Sequence, residues 1–335
     1  MEVNVSESFD EEMDVLVGRD KGKASKKGKI GGGGGQRPRR YLAGAPEVMV
    51  KITGWGHSIG GLEGAKGNKV RSIEAHLKYI TRHSKLEAET SDGMTISDAA
   101  GLKDYMERVY HKEGKAPAKN RESLHVVLSM PSGTEPEAVR AGAREFLMNR
   151  FGDNHRFIFV LHTDTDNPHV HAVVQNRGFD GRKLHYEKGE LQKMRQEFAD
   201  SMNEQGVFAD ATPRSVRGVI EKSAIQSWLH MLKGDDKRTP RMPKKLGMQI
   251  ADAVNNPDRP KPWLAAIYTR QEEIRGGLAR EIEALRVSGE KGGLRKADLI
   301  ERFLNAMPPI RTQDERIREQ QANRKVDEID QQQLF

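Results

Sequence analysis

The spacing of apolar residues along the chain changes several times, and each change marks an element. Glu47 to Thr53 alternates and reads as a strand, followed by a Gly-rich loop from Gly54 to Gly67. Over 70–88 the residues Ile73, Leu77 and Ile80 recur at spacings of four and three, which predicts a helix with one buried face. His76, Tyr79 and His83 lie on a separate, polar stripe of that helix. A second helix is predicted over 96–113, opened by Ser97-Asp98 and stopped at Gly114. Leu124 to Met130 is a strand closed by the turn residues Pro131, Ser132 and Gly133. Thr134 with Glu137 has the form of a capping box and starts a helix running to about 151. Residues 157–162 and 169–175 are two strands with six residues between them, and a helix over about 188–205 ends at Gly206. Close antiparallel strands mixed with helices predict an α+β fold, an antiparallel β-sheet with helices packed on it.

Beyond about 215 the strand pattern fades, and 216–310 reads as a mainly helical C-terminal region whose best segments are 219–233 and 263–287. The stretch 311–335 is polar and Gln-rich, a frayed helix or a polar tail. At the other end, residues 1–18 carry acids and no bases, whereas 19–40 carry nine Lys or Arg and one Asp around the run Gly31 to Gly35. Such segregated chain has too little apolar surface to bury, so 1–45 is expected to be a disordered tail, either a solvated linker or an arm that neutralises phosphates.

Composition narrows the chemistry. Among 335 residues there is no Cys, which excludes disulfides, thiol nucleophiles and Cys-ligated metal. Any metal must be held by His, carboxylate or carbonyl oxygen. A hydrophobic fraction of 36% beside 31% charged residues is lean for two packed domains. The balance of 56 Lys and Arg against 49 Asp and Glu leaves +7, which favours a polyanionic partner such as nucleic acid. No run approaches the roughly 20 apolar residues of a membrane span. The acidic start lacks the order of a signal peptide, so no membrane insertion is expected. The Gly-rich loop lacks Walker spacing, which argues against nucleotide cradling.

The informative stretch runs from His162 to His171, with three of the eleven histidines in ten residues. Strand side chains alternate, so His169 and His171 project from one face. If 157–162 and 169–175 form a hairpin, His162 stands opposite His169 and faces the same way. Opposed Cβ atoms lie about 4.5–5.5 Å apart, close enough for three imidazoles to converge on one divalent cation with open positions left for substrate. The plainer alternative is a strand cap and two ordinary sheet histidines. Asp164 and Asp166 suit an Asx-rich turn. Asp164 is also a candidate to orient an imidazole, because ligating histidines usually give their second N–H to a carboxylate or carbonyl.

Three neutral imidazoles leave such a cation its full charge, which suits a phosphodiester whose oxygens are anionic. The attacking group can be water or a side chain. Tyr79 lies between His76 and His83, with Lys78 and Arg82 nearby, and a cationic neighbourhood favours the phenolate that attack requires. The alternative is an amphipathic Tyr at the edge of a packing helix.

At these residues the chain resembles the HUH relaxases of plasmid mobilisation, in the P-type branch that includes the border endonucleases of agrobacterial DNA transfer. Three blocks carry the likeness: Glu74 to Glu87 around Tyr79, His125 to Gly133, and His162-x-Asp164 followed by Pro168-His169-x-His171. The resemblance covers about 47–218 and places an HUH relaxase domain in 46–215. It implies that Tyr79 is the nucleophile, that His162, His169 and His171 hold a divalent metal ion such as Mg or Mn, and that Asp164 assists the tyrosine. It further implies DNA contact by Ser129, to which Lys78 and Arg82 are added from their position beside Tyr79. Gln175 stands where the family often has Asn, with Asn176 one place later and facing the opposite side of the strand.

The implied function is site- and strand-specific nicking of single-stranded DNA at a plasmid transfer origin through a 5′-phosphotyrosyl intermediate, for conjugative mobilisation. The implied partners are accessory relaxosome proteins and a type IV secretion coupling protein. The implied place is the bacterial cytoplasm, with export attached to DNA. Trp55 and His57 are candidates for stacking on bases. Three rivals stand beside this reading: a related HUH replication initiator or transposase, in which the tyrosine usually follows the histidine pair; a metal-water hydrolase; and a non-enzymatic DNA-binding module.

Overall fold

A computed structural model describes residues 45–57, 73–110, 121–187, 189–220, 226–234, 238–259, 261–289 and 291–333. The described residues up to Thr212 form one compact unit and those from Pro213 another. The expectation for 1–45 falls outside them except at Ala45, as does the Gly-rich loop beyond His57.

In the first unit six strands form one antiparallel sheet: β1 (Met49–His57), β2 (Ala88–Thr90), β3 (Thr95–Ile96), β4 (Arg121–Ser129), β5 (Phe157–His162) and β6 (His169–Gln175). Their order across the sheet is β1-β4-β6-β5-β2-β3. The helices of this unit are α1 (Ile73–Ile80), α2 (Ala99–Tyr110), α3 (Pro136–Leu147) and α4 (Glu190–Glu204). The fold is α+β, an antiparallel sheet with helices on both sides.

Strand alternation sorts the two sides. Leu124, Val126 and Leu128 of β4, Phe157 and Phe159 of β5, and Val170, Ala172 and Val174 of β6 point one way, into a core filled by Phe146 of α3 and Met194, Phe198 and Met202 of α4. Ile158, Val160 and Val173 point the other way, onto Ile73, Leu77 and Ile80 of α1 and Leu102, Tyr105 and Val109 of α2. Each fully buried aliphatic or aromatic side chain contributes roughly 1.5–3 kcal/mol of transfer free energy. The second face is only partly apolar. Ser123, His125, Ser129, His169 and His171 share it and form a polar strip across the sheet.

Two elements differ from the sequence expectation for local reasons. The helix predicted over 70–88 ends at Ile80, and residues 81–86 turn before β2, so His83 is not on the helix. The capping box does not form. Pro136 occupies the first helical turn, which makes Glu135 the N-cap, while the Thr134 hydroxyl donates to the Pro131 carbonyl at 2.9 Å. Glu137 pairs with Arg140 instead.

β1 approaches the polar strip at Gly56, opposite Ser123. A Cβ there would meet Ser123 Oγ at 2.3 Å, Ile73 Cγ1 at 2.6 Å and His125 Nε2 at 3.0 Å. These neighbours are buried and hold α1 against the sheet. Gly56→Ala is therefore expected to destabilise the domain by about 1–3 kcal/mol, read from urea unfolding, and to shift α1 and Tyr79 with it. An unchanged midpoint would show that α1 accommodates the methyl.

The second unit is helical: α5 (Gln226–Lys233), α6 (Lys244–Asn255), α7 (Pro262–Val287), α8 (Gly293–Ala306) and α9 (Gln313–Gln333). Ile274, Leu278, Ile282 and Leu285 of α7 pack with Ala297 and Ile300 of α8 and with Val216. The Gln-rich end is helical over most of its length. Its start is capped by Thr312, whose hydroxyl accepts from the Glu315 N–H at 3.3 Å while Glu315 accepts from the Thr312 N–H at 2.6 Å. No described helix is long and apolar enough to cross a membrane.

Candidate active site

β5 and β6 form the hairpin that the spacing predicts, with His162 paired to His169 and Val160 to His171. The three rings converge. Their centroids are 5.2 Å apart for His162–His169, 4.6 Å for His162–His171 and 5.2 Å for His169–His171. One nitrogen from each lies within 4.8 Å of the others.

The outer ring atoms are anchored on backbone. His162 Nε2 is 2.6 Å from the Ile80 carbonyl oxygen and His169 Nδ1 is 2.9 Å from that of Asn167. A carbonyl only accepts, so each of these nitrogens carries the proton, which leaves His162 Nδ1 and His169 Nε2 as lone pairs. Burial lowers the proton affinity of His171, helped by His162, His169, His76 and Arg82, and pushes its pKa down to about 3. Burial likewise lowers that of His162, with Arg82 and His169 adding to it and the Ile80 bond opposing. Three converging imidazoles, two of them with the tautomer fixed by a backbone carbonyl, fit a divalent cation.

Asp164 does not orient a ring. Its Oδ1 is 3.9 Å from His162 Nδ1, too far for a hydrogen bond, and backbone carbonyls take the imidazole N–H groups instead. Its other oxygen is ion-paired with Arg82. Burial alone would raise the Asp164 carboxyl, but the Arg82 guanidinium overrides this and holds it below the usual carboxylate range.

Tyr79 stands on the last turn of α1 with its side chain 56% exposed. Arg82 lies beside it, with Cζ 5.3 Å from the ring centroid. Arg82 Nη2 also donates to His162 Nδ1 at 3.3 Å. One guanidinium thus links Tyr79, Asp164 and the histidine cluster. Lys78 is exposed and lies roughly 100° around the helix from Tyr79. Ser129 pairs with His169 across the sheet, yet the residue is only 5% exposed and its hydroxyl donates to the Met130 carbonyl at 3.4 Å.

A second histidine pair supports this face. His76 of α1 stacks on His125 of β4 with centroids 3.8 Å apart and planes 3° from parallel. His125 Nε2 and Ser123 Oγ are hydrogen-bonded at 3.1 Å. The alternation of β4 puts Ser123 and His125 on the side of Ser129, so this pair was findable from residue parity once the triad's side was known. Gln175 takes the triad's side and donates to the Val109 carbonyl at 3.3 Å, whereas Asn176 donates to the Arg121 carbonyl at 2.8 Å. Trp55 lies on the opposite side, edge-on to Tyr186 and under Arg121, whose Cζ is 4.8 Å from the indole centroid. His57 ends β1, outside the described side chains.

Residues 79–207 match the family model of the relaxase MobA/VirD2-like nuclease domain. That segment is similar to a relaxase nuclease. Three curated relatives carry the same printed name, T-DNA border endonuclease VirD2. The protein from Rhizobium radiobacter is 30% identical over 180 residues, 46% of this chain and 41% of its own length. That from Rhizobium rhizogenes is 25% identical over 174 residues, 46% and 39% respectively. That from Agrobacterium fabrum (strain C58 / ATCC 33970) is 23% identical over 215 residues, 58% and 48%. The aligned segments thus span less than half of each relative. The relaxase-like segment contains Tyr79, Asp164 and all three histidines, and it ends within the first compact unit.

Proposed function

We propose that the chain is a site- and strand-specific DNA relaxase whose nuclease domain lies in residues 46–215. The observation that carries this reading is the Arg82 guanidinium joining an exposed tyrosine to a convergent three-histidine cluster, within a segment similar to relaxase nucleases. Tyr79 is the nucleophile. Its oxygen forms a bond to phosphorus while the bond to the 3′ oxygen breaks, giving a 5′-phosphotyrosyl link and a free 3′ hydroxyl. The phenolic proton passes to Asp164, directly or through a water, and the leaving oxygen takes a proton from solvent. Reversal reseals the strand without a nucleotide cofactor, because the phosphotyrosine is itself a diester.

His162 Nδ1, His169 Nε2 and a nitrogen of His171 would hold a divalent ion, Mg or Mn, whose bound charge supplies Lewis-acid polarisation of the phosphate oxygens. Lys78 and Arg82 contribute positive charge along the strand, and Ser129 contacts DNA at the edge of the polar strip. Single-stranded DNA fits better than duplex, since a phosphate must enter in line between an exposed helix end and the sheet. The biological setting is conjugative mobilisation from a transfer origin, with relaxosome proteins opening the duplex and a type IV coupling protein receiving the complex from the bacterial cytoplasm.

The test is incubation with single-stranded origin oligonucleotides and Mg²⁺ or Mn²⁺, followed by denaturing electrophoresis and peptide mass spectrometry. A denaturation-resistant adduct on Tyr79 is expected. Cleavage with two free DNA ends and no adduct would support the metal-water hydrolase instead.

A further inference from the structure

The turn after α1 is unusual. Arg82, His83 and Ser84 have φ of 50°, 57° and 63°, three consecutive non-glycine residues in the left-handed region. Each costs roughly 1–2 kcal/mol relative to the right-handed form, so local bonds must hold the turn in place. They do: His83 N–H donates to the Lys78 carbonyl at 2.8 Å, Arg82 N–H to that of Tyr79 at 3.1 Å and Lys85 N–H to that of Thr81 at 2.9 Å. Thr81 Oγ1 donates to the Leu77 carbonyl at 2.8 Å. The result is that Arg82, only three residues beyond Tyr79, turns back toward β5 and reaches both Asp164 and His162.

This placement creates a competition. With Nε2–H given to the Ile80 carbonyl, Nδ1 is the sole lone pair of His162, and Arg82 Nη2 is already 3.3 Å from it. A guanidinium N–H and a cation cannot share one lone pair, and two like charges so close repel strongly in a partly buried site. We propose that Arg82 is a positioning residue that competes with the divalent cation for His162. Cation binding moves the guanidinium off the ring while it stays near Tyr79 and Asp164, and its released N–H groups then face the scissile phosphate. Binding of the ion and readiness of the phosphate clamp are thereby one event. The inference rests on the proposed cation site and goes beyond it by assigning Arg82 a role in loading.

The experiment is Mn²⁺ titration by calorimetry of the full chain, comparing wild type with Arg82→Ala, Arg82→Gln and Arg82→Lys, each checked by urea unfolding. Removing the competing charge is expected to tighten Mn²⁺ binding about tenfold or more, while Arg82→Lys stays near wild type because it keeps the charge. A merely structural Arg82 would weaken binding when lost. Unchanged or weaker binding in the neutral variants overturns the proposal and leaves the cation site standing. No Mn²⁺ binding by wild type overturns both. Arg82→Gln, which keeps a polar stem, supplies the comparison if the Ala variant does not fold.

Discussion

Tyr79→Phe is expected to abolish the protein–DNA adduct while leaving oligonucleotide binding within about twofold and the unfolding midpoint essentially unchanged. Loss of a nucleophile lowers turnover by on the order of 10⁶ in a well-studied hydrolase, so no adduct should be visible on a denaturing gel. The ring is more than half exposed and contributes little to the core, and surface changes of this kind usually stay within roughly ±0.5 kcal/mol. A persistent adduct would require another tyrosine, and the structure narrows the choice. Tyr186 packs edge-on against Trp55 on the opposite side of the sheet. Its buried hydroxyl has no partner among the described residues, and burial raises its pKa further from the phenolate form. Tyr105, on α2, is buried against the sheet with the same effect on its phenol. Tyr41 lies outside the described residues. Mass spectrometry of the adduct from wild type and variant identifies the residue directly.

Why the histidine cluster was legible, and its neighbours were not, follows from the physics of each signal. Strand parity is a rigid rule, and six residues between two apolar runs leave little choice but a hairpin, so the pairing of His162 with His169 could be written from the sequence. The end of α1 obeys no such rule. The common stop signals are Gly, Asn and Pro, and the segment Thr81-Arg82-His83-Ser84 contains none of them. Its left-handed turn is stabilised by backbone hydrogen bonds, which any residue can make and which leave no mark on the sequence. The capping-box signature failed for the converse reason: a Pro two residues later moved the helix start. The hairpin of β2 and β3 escaped notice because its strands are only three and two residues long, too short to show a period. The partner of Asp164 was equally hidden. Sequence distance gives no hint that Arg82, 82 residues away, rather than a neighbouring histidine, takes that carboxylate.

His171→Ala is expected to lower Mn²⁺ affinity by at least about a hundredfold, the upper range seen when merely a supporting partner of a metal ligand is lost. Adduct formation should fall with it and return in part at high Mn²⁺. The size follows from geometry: His171 faces both other rings, with His162 4.6 Å away centroid to centroid, and deleting it leaves two donors, too few to close a face around an ion. The comparison that gives this meaning is His125→Ala. His125 is 1% exposed, stacks on His76 and is bonded to Ser123, so its loss should destabilise the fold by roughly 2–4 kcal/mol through the cavity and the orphaned serine. The same change should leave the number of bound ions intact. The two variants therefore separate two kinds of sheet histidine that look alike in the sequence. If both lower stability and neither changes ion binding, the triad is a packed core feature and the non-enzymatic reading returns. If His171→Ala alone loses the ion while its urea midpoint moves little, the three lone pairs are kept convergent for a ligand, because packing gains nothing from three polar rings turned toward one another.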